Sequence, residues 1–275
     1  MPTRPRARPS LTKNHSPVAT DLKKFEGDPN FVLSLARGLR VIETFEGQRD
    51  GITFADAARR TGLSRAAVRR LLMTLEMLGY AESKGRLYKL RSRVLSLGSS
   101  FISSTSLVAA AQPVLDHITE TIHESSSMSV LDGDDIVYVA RSSVHRVMSV
   151  DLSVGSRLPA YCTSMGRVLL AGLTDPELFR YLERIRPIAH TNRTVTSKAQ
   201  LRELILRVRR EGYAIVHEEL EVGLRSMAVP VVSRQGRTVA AVNIGAPALR
   251  VTRKHSEEFL RLLHEAARIL AHSAG

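Results

Sequence analysis

Between Thr53 and Leu72 the sequence sets two short amphipathic helices on either side of a glycine, and few folds accept that arrangement. Thr53 suits the start of FADAARR and Ser64 the start of RAAVRRLLMTLEM, because a side-chain oxygen satisfies an amide left open at a helix start. Gly62 falls at the break, where a left-handed backbone strains glycine least. Ala58 is small enough to let the helices cross closely, and Val68 is placed to pack back between them. Ala57, Leu63 and Leu71 fill the inner face. This is the spacing of a helix-turn-helix, and it turns Arg65, Ala66, Arg69 and Arg70 outward on the second helix. Arginine forks match phosphates and the guanine edge in the major groove. Behind it, YAES and RLYKL read as two short strands around a KG turn. Lys84, Arg86 and Lys89 lie near that turn, as a wing touching the DNA backbone or minor groove requires. With Thr53 and Ser64 at the helix starts, these residues form the candidate DNA-contacting set. A basic helical hairpin that is merely solvated would share the helix spacing, but it would need neither the wing nor the charge described next.

The formal net charge is +13, and its distribution is uneven. Residues 1–100 carry 19 Lys/Arg against 9 Asp/Glu, while residues 101–275 carry 21 against 18. The first third is therefore the part suited to a polyanion, and double-stranded DNA is the expected partner. No basic helix has the wide apolar face needed to lie on a bilayer. No apolar run reaches the roughly 18 residues of a membrane span, and the basic N-terminus lacks the apolar stretch of a secretory signal. One cysteine, Cys162, excludes an intramolecular disulfide framework and multi-cysteine zinc motifs. A reduced, cytoplasmic setting is expected.

A chain of 275 residues suits about two domains. Residues 1–28 read as a disordered basic arm rich in proline. Residues 29–92 hold the helix-turn-helix and wing, entered by a helix with Leu35, Leu39, Ile42 and Phe45 at helical spacing. Residues 93–111 read as a partly helical linker. From 112 onward helices and strands alternate. Pro113 is expected in the first turn of PVLDHITETIHES. SMSVL and DIVYVAR flank a DGDD turn, with VMSVDL as a further strand and GSRLPAY as a loop. YAIVHE, SMAVPVV and TVAAVNIG are strands, and SEEFLRLLHEAARILAHS closes the chain as a helix. The predicted class is α+β, with a mixed sheet flanked by helices.

SLARGLRVIETFEGQRDGITFADAARRTGLSRAAVRRLLMTLEMLGYAES resembles the winged helix-turn-helix of the IclR family of bacterial transcription regulators. GSRLPAYCTSMGRVLLAGL, EGYAIVHEELEVGLRSMAVPV and GRTVAAVNIGAP resemble that family's effector-binding domain. The resemblance runs from about Leu33 to Ala271. It implies a GAF-like sensor domain, a linker helix, and a homodimer or dimer of dimers joined through the N-terminal domain and linker. VLDGDDIVYVARS and LPAYCTSMGRVLLAGL further resemble the β-ketoadipate pathway branch, whose members respond to protocatechuate, 4-hydroxybenzoate or β-ketoadipate.

Such effectors are small carboxylic acids, and a pocket for them needs donors and an apolar wall. Thr163-Ser164-Met165-Gly166 opens a helix, where free amides favour a carboxylate. Ser164, Ser226 and Asn243 add neutral donors, while Val216, Met165 and Tyr161 supply apolar surface. By resemblance, Ser164 and Met165 fall at the family's ligand contact at the helix start. Val216, Ser226 and Asn243 fall at contacts on the strands. Val216 departs from relatives that carry a polar side chain there. Arg157 and Arg225 are candidates to neutralise an acid.

Enzymatic readings have little support. GxSxG, GxGxxG and P-loop spacings are missing, and no cofactor motif is present. Cys162 lacks a local partner set for a nucleophile. In His217-Glu218-Glu219, strand alternation would turn Glu218 away from its neighbours, and a salt-bridged strand end is the simpler reading. His264 and His272 lie eight residues apart, about 12 Å along a helix, too far for one metal. A ligand-responsive DNA-binding regulator is therefore expected. A small-molecule enzyme with a basic accessory domain, or a constitutive DNA-binding protein, are the alternatives.

Overall fold

The computed structural model describes residues 22–25, 27–48, 50–98, 106–144 and 152–274. The chain divides into two units, Met1–Phe101 and Ile102–Gly275, each with its own core. Most of the expected basic arm, residues 99–105 of the expected linker, and nearly all of the expected strand VMSVDL lie outside the described residues.

In the first unit, α1 (Leu33–Glu43), α2 (Phe54–Thr61) and α3 (Arg65–Met77) precede a hairpin of β1 (Ala81–Lys84) and β2 (Leu87–Leu90). Val41, Ala57, Val68, Leu72 and Ile52 are buried together with Tyr88 from the hairpin. Ile52 exchanges both backbone hydrogen bonds with Tyr88, which ties the hairpin to the start of α2. Glu76 adds a second tie by accepting the Ser83 amide and hydroxyl. The helical period in α1 is real: Phe45 is buried as expected and Ile42 packs on the core, but Leu35 and Leu39 are exposed and Val41 enters the core.

The second unit is built on a six-stranded sheet of order β5-β4-β3-β8-β7-β6. Its strands are β3 (Ser125–Asp132), β4 (Asp135–Ser142), β5 (Arg157–Pro159), β6 (Ala214–His217), β7 (Leu224–Val232) and β8 (Thr238–Pro247). Every pairing is antiparallel, so the sheet is not mixed as expected. Turns join β3 to β4, β6 to β7 and β7 to β8, which reverses direction each time, and the central β3–β8 pair is antiparallel too. The segment GSRLPAY, expected as a loop, contributes β5.

Helix α4 (Ser106–Ile122) and helix α8 (Arg253–Ala271) cover one face of this sheet, burying Met128, Met227, Val229, Val242 and Ile244. Pro113 lies inside α4 and not in its first turn. A proline there deprives the carbonyl four residues back of its helical donor. The turns upstream nevertheless bury Leu107, Val108 and Ala111, and that burial holds them in the helix. The expected linker, residues 93–111, therefore ends inside a helix packed on this core. The opposite face takes α5 (Ser164–Ala171), α6 (Asp175–Arg184) and α7 (Lys198–Glu211), which bury Tyr138, Ala228 and Ala241.

Helix α5 is buried at every residue. Gly166 lets it lie directly on the turn Ala160–Cys162, since a Cβ there would stand 2.1 Å from the Ala160 carbonyl oxygen. At the next residue, Arg167 Nη2 meets Glu219 Oε2 at 2.7 Å, with both side chains withdrawn from solvent. Arg167 Nε also donates to the Tyr161 carbonyl, and Glu219 also accepts the Val195 amide.

Two stability outcomes follow from this packing. Gly166→Ala is expected to lower unfolding free energy by about 1–3 kcal/mol or more, because backbone must give way on both sides. A urea midpoint equal to wild type would refute the close approach. Glu219→Leu leaves the Arg167 charge buried and unpaired, with an expected loss of roughly 3–5 kcal/mol. Adding Arg167→Met to it should recover most of that loss, and a double variant no more stable than Glu219→Leu would count against the pair.

Candidate functional site

In the first unit, the residues expected at DNA are sorted by what their polar atoms already do. The Asp56 amide donates to Thr53 Oγ1 at 3.1 Å, and the Thr53 hydroxyl donates back to Asp56 Oδ2 at 2.7 Å. These bonds from the Thr53 hydroxyl and amide hold the Asp56 carboxyl below its ordinary pKa. The Thr53 hydroxyl is thus engaged in starting α2. Ser64 Oγ accepts the Ala67 amide at 3.2 Å and starts α3, which leaves its hydroxyl proton free for an acceptor. Gly62 closes α2 at φ 70°, in the left-handed region.

Arg65, Ala66, Arg69 and Arg70 are all exposed on α3. Among the described residues the three guanidinium groups have no hydrogen-bond or ion-pair partner, whereas neighbouring Arg59 is held by Asp56 at 2.6 Å. Lys84, Arg86 and Lys89 are exposed on the hairpin. Lys89 stands opposite Glu82 across the strands, so its charge is partly offset, while Lys84 stands opposite Leu87.

In the second unit, strand register assembles the expected effector residues. Val216 pairs with Ser226, Ser226 with Gly245, and Gly245 with Ser125, in one row across four strands. The next row runs from Ala228 to Asn243 to Ser127 and on to Arg141. Alternation along β8 turns Ala241, Asn243 and Gly245 towards the face that α5 covers. A Cβ built on Gly245 would meet nothing closer than 3.9 Å, so the sheet is open there. Helix α5 brings Ser164 and Met165 to this face, and Met165 Sδ accepts the Ser129 hydroxyl at 3.1 Å. Thr163 Oγ1 takes the Gly166 amide, while the Ser164 and Met165 amides find no acceptor among the described residues. Ser164 Oγ and Asn243 Oδ1 are both buried without a partner.

Three expected residues are placed differently. Arg225 lies one residue from Ser226 and so points through the other face of the sheet, where Nη1 donates to the Val251 carbonyl at 3.3 Å. Arg157 is committed to the β3–β4 turn, bonding Asp132 Oδ2 at 2.5 Å and Asp135 Oδ2 at 3.3 Å. Tyr161 donates its hydroxyl to the Ile188 carbonyl at 2.8 Å and accepts the Ile188 amide, so its polar end serves the wall and its ring the core. Burial pushes the Tyr161 phenol well above its ordinary pKa.

Arg141 is the residue the sequence reading missed. It hydrogen-bonds Ser127 Oγ at 3.0 Å and lies on the same face as Tyr138. Strict alternation along DIVYVARS would put it on the opposite face from Tyr138. A register shift between Met128 and Ser129 leaves Val139 and Ala140 both on the α4–α8 core and brings Arg141 round.

Chemistry elsewhere is muted. Burial, above all, raises the Cys162 thiol to about 12, so it stays protonated at neutral pH. The strand β6 ends at His217, and Glu218 adopts φ 56°, so alternation does not carry past it. Glu218 therefore meets His217 at 3.3 Å and Arg193 at 3.0 Å, while Glu219 turns to Arg167. A cavity of about 170 Å³ beside α7, lined by Leu204, Arg207 and Tyr213, shares no residue with the rows above. Among the described residues no group of three His, Cys, Asp or Glu forms a metal-ligand cluster, and no helix is long and apolar enough to cross a membrane.

Comparison with known proteins agrees with both halves. Residues 34–85 match the IclR helix-turn-helix domain, and residues 99–272 match the bacterial transcriptional regulator IclR C-terminal domain. The chain is 48% identical over 272 residues to the Pca regulon regulatory protein of Pseudomonas putida, covering 97% of this chain and 94% of that one. A crystal structure of a regulator from Rhodococcus sp. RHA1 superposes with a TM-score of 0.79 at 48% identity, covering 89% of this chain and 98% of that chain. An IclR homologue from Microbacterium hydrocarbonoxydans in complex with 4-hydroxybenzoate superposes with a TM-score of 0.77 at 27% identity, covering 88% and 98%. Both halves of the chain match domains of one group, and this protein belongs to the IclR family of bacterial transcriptional regulators, DNA-binding proteins and not enzymes.

Proposed function

We propose that this regulator changes its hold on operator DNA in response to a small aromatic or dicarboxylic acid of the β-ketoadipate pathway, of the protocatechuate, 4-hydroxybenzoate or β-ketoadipate type. The observation that carries the effector reading is a buried polar vacancy in hydrogen bonding. Ser164 Oγ and Asn243 Oδ1 are both buried without partners on one face of the sheet, beside two unengaged amides of α5. Each such atom costs about 1–3 kcal/mol unless something pairs with it. A ligand bearing acceptors and donors is the natural partner, and the amides at the helix start favour an anion. Met165, Val216 and the open surface at Gly245 supply the apolar side. The names of the Pseudomonas relative and of the 4-hydroxybenzoate complex point to the same class of acid.

The remaining assignments follow from this reading. Arg65, Arg69 and Arg70, with Ala66, face the major groove, Ser64 meets a phosphate, and Lys84, Arg86 and Lys89 flank the duplex. Thr53 supports them by fixing α2. Arg157, Tyr161 and Arg225 support the sensor without touching the acid. The apolar stripe left exposed on α1, Leu35 and Leu39, is where a second copy would dock to give a homodimer, with a dimer of dimers as its extension. The setting is cytoplasmic, where operator DNA is.

Arg69→Ala is expected to weaken operator binding by ~1–3 kcal/mol with the fold intact, if Arg69 reads a base. Log affinity should fall steeply with log salt, since several phosphates are neutralised. Unchanged affinity for the variant in gel-shift titrations at fixed salt would rule out this register. For the sensor, Ser164→Trp fills the buried space beside Asn243. Its operator binding without acid should stay measurable while the response to acid disappears. A full transcriptional response in Ser164→Trp would remove the pocket from this face.

A further inference from the structure

The face that carries Ser164 and Asn243 also carries a cation that the stable fold does not use. The β4 irregularity turns Arg141 onto this face, one strand from Ser127 and two from Asn243. Neighbouring strands lie about 4.8 Å apart, so these three residues form a short line across β4, β3 and β8. Ser127 is fully buried, and its Oγ fixes one Nη of Arg141 at 3.0 Å. A guanidinium has five N–H donors, and this is the one side-chain bond that Arg141 makes among the described residues. The other arginines near this end of the domain are matched: Arg157 with Asp132 and Asp135, Arg167 with Glu219, Arg184 with Asp134. Arg141 is half-buried, and burial pulls its pKa down without a carboxylate to offset it. A desolvated, oriented guanidinium beside unpartnered neutral groups is the arrangement that recognises a carboxylate by its two oxygens.

We propose that Arg141 is the specificity-determining residue of the effector site, binding the carboxylate of the acid through the edge of its guanidinium. This rests on the effector reading above and adds an orientation to it. The acid group lies at the β4–β3 end, where a full charge outcompetes the partial charge of a helix start. The far end of the ligand, a hydroxyl or a second acid group, then lies towards Ser164 and the first amides of α5. Tyr138, held as a neutral phenol because burial raises its pKa to about 12, adds no competing charge beside Arg141. The site consequently selects acids over uncharged molecules of the same shape.

The test uses the full chain and isothermal titration with 4-hydroxybenzoate, protocatechuate and adipate, each paired with its neutral amide. Wild type is expected to bind at least one acid and to prefer it to the amide by about 10- to 100-fold, the range for a hydrogen bond to a charged group. Arg141→Gln should lose that preference, its affinity for the acid falling to that for the amide. Arg141→Lys, which keeps the charge but not the fork, should fall in between. A cooperative melting transition and unchanged near-ultraviolet circular dichroism verify that the variants are folded. If Arg141→Gln binds the acid as tightly as wild type, or loses acid and amide equally, the assignment of Arg141 is overturned while the effector reading stands. If wild type binds none of the three acids, the effector reading falls and this assignment with it.

Discussion

The sensor half of this protein depends on the buried ion pair between Arg167 and Glu219. Two charges with 4% and 9% of their side-chain surface exposed are tolerable only because each is matched and further hydrogen-bonded. Arg167 reaches back to the Tyr161 carbonyl, and Glu219 reaches forward to the Val195 amide. The pair therefore ties together three pieces of chain that are far apart in sequence: α5 with the turn before it, the segment after α6, and the end of β6. Thr191 and Thr194 donate to the carbonyls of residues 218 and 219 and extend the same junction. Removing it would free the helix whose first turn carries Ser164 and Met165. The pair contributes position more than net energy, and position is what a polar binding face requires.

With α5 fixed, the sheet does the rest through its period of two. One face is given over to α4 and α8 and is almost wholly apolar. The other alternates apolar residues under α5, α6 and α7 with small polar ones: Ser125, Ser127, Ser129, Ser226 and Asn243. Serine and glycine at these positions are small, and a Cβ at Gly245 would meet nothing closer than 3.9 Å. A ligand that lacks the matching groups leaves buried polar atoms unpaired, which discriminates more strongly than any fit of apolar surface.

What the sequence made legible was whatever local chemistry decides. The capping hydroxyls at Thr53 and Ser64, the left-handed Gly62 and the outward arginines of α3 follow from neighbours within four residues, and each is readable. Ser164, Ser226 and Asn243 are legible largely through the family resemblance; strand register puts Ser226 and Asn243 on one face, and α5 carries Ser164 to it. The misses all lie where tertiary structure overrides a local rule. Arg225 and Ser226 look equivalent as candidate donors, but adjacent strand residues face opposite ways. Arg141 is hidden from a sequence reading because alternation breaks at Val139 and Ala140. Pro113 suits a helix start, but burial of Leu107, Val108 and Ala111 carries the helix past it. Of the face Leu35, Leu39, Ile42 and Phe45, the last two reach the core of this single chain, which also takes Val41, while Leu35 and Leu39 stay exposed.

Control of DNA binding adds a constraint that neither unit meets alone. An effector shifts operator affinity only to the extent that its own affinity differs between the DNA-bound and free arrangements, and the dependence is reciprocal. A tenfold change in operator affinity needs a differential of about 1.4 kcal/mol, comparable to one buried polar atom gaining or losing its partner. The second unit holds at least two such atoms, Ser164 Oγ at the start of α5, the helix that carries Arg167, and Asn243 Oδ1 on β8. A ligand spanning them, as proposed above, would couple the position of α5 to occupancy with energy of that size.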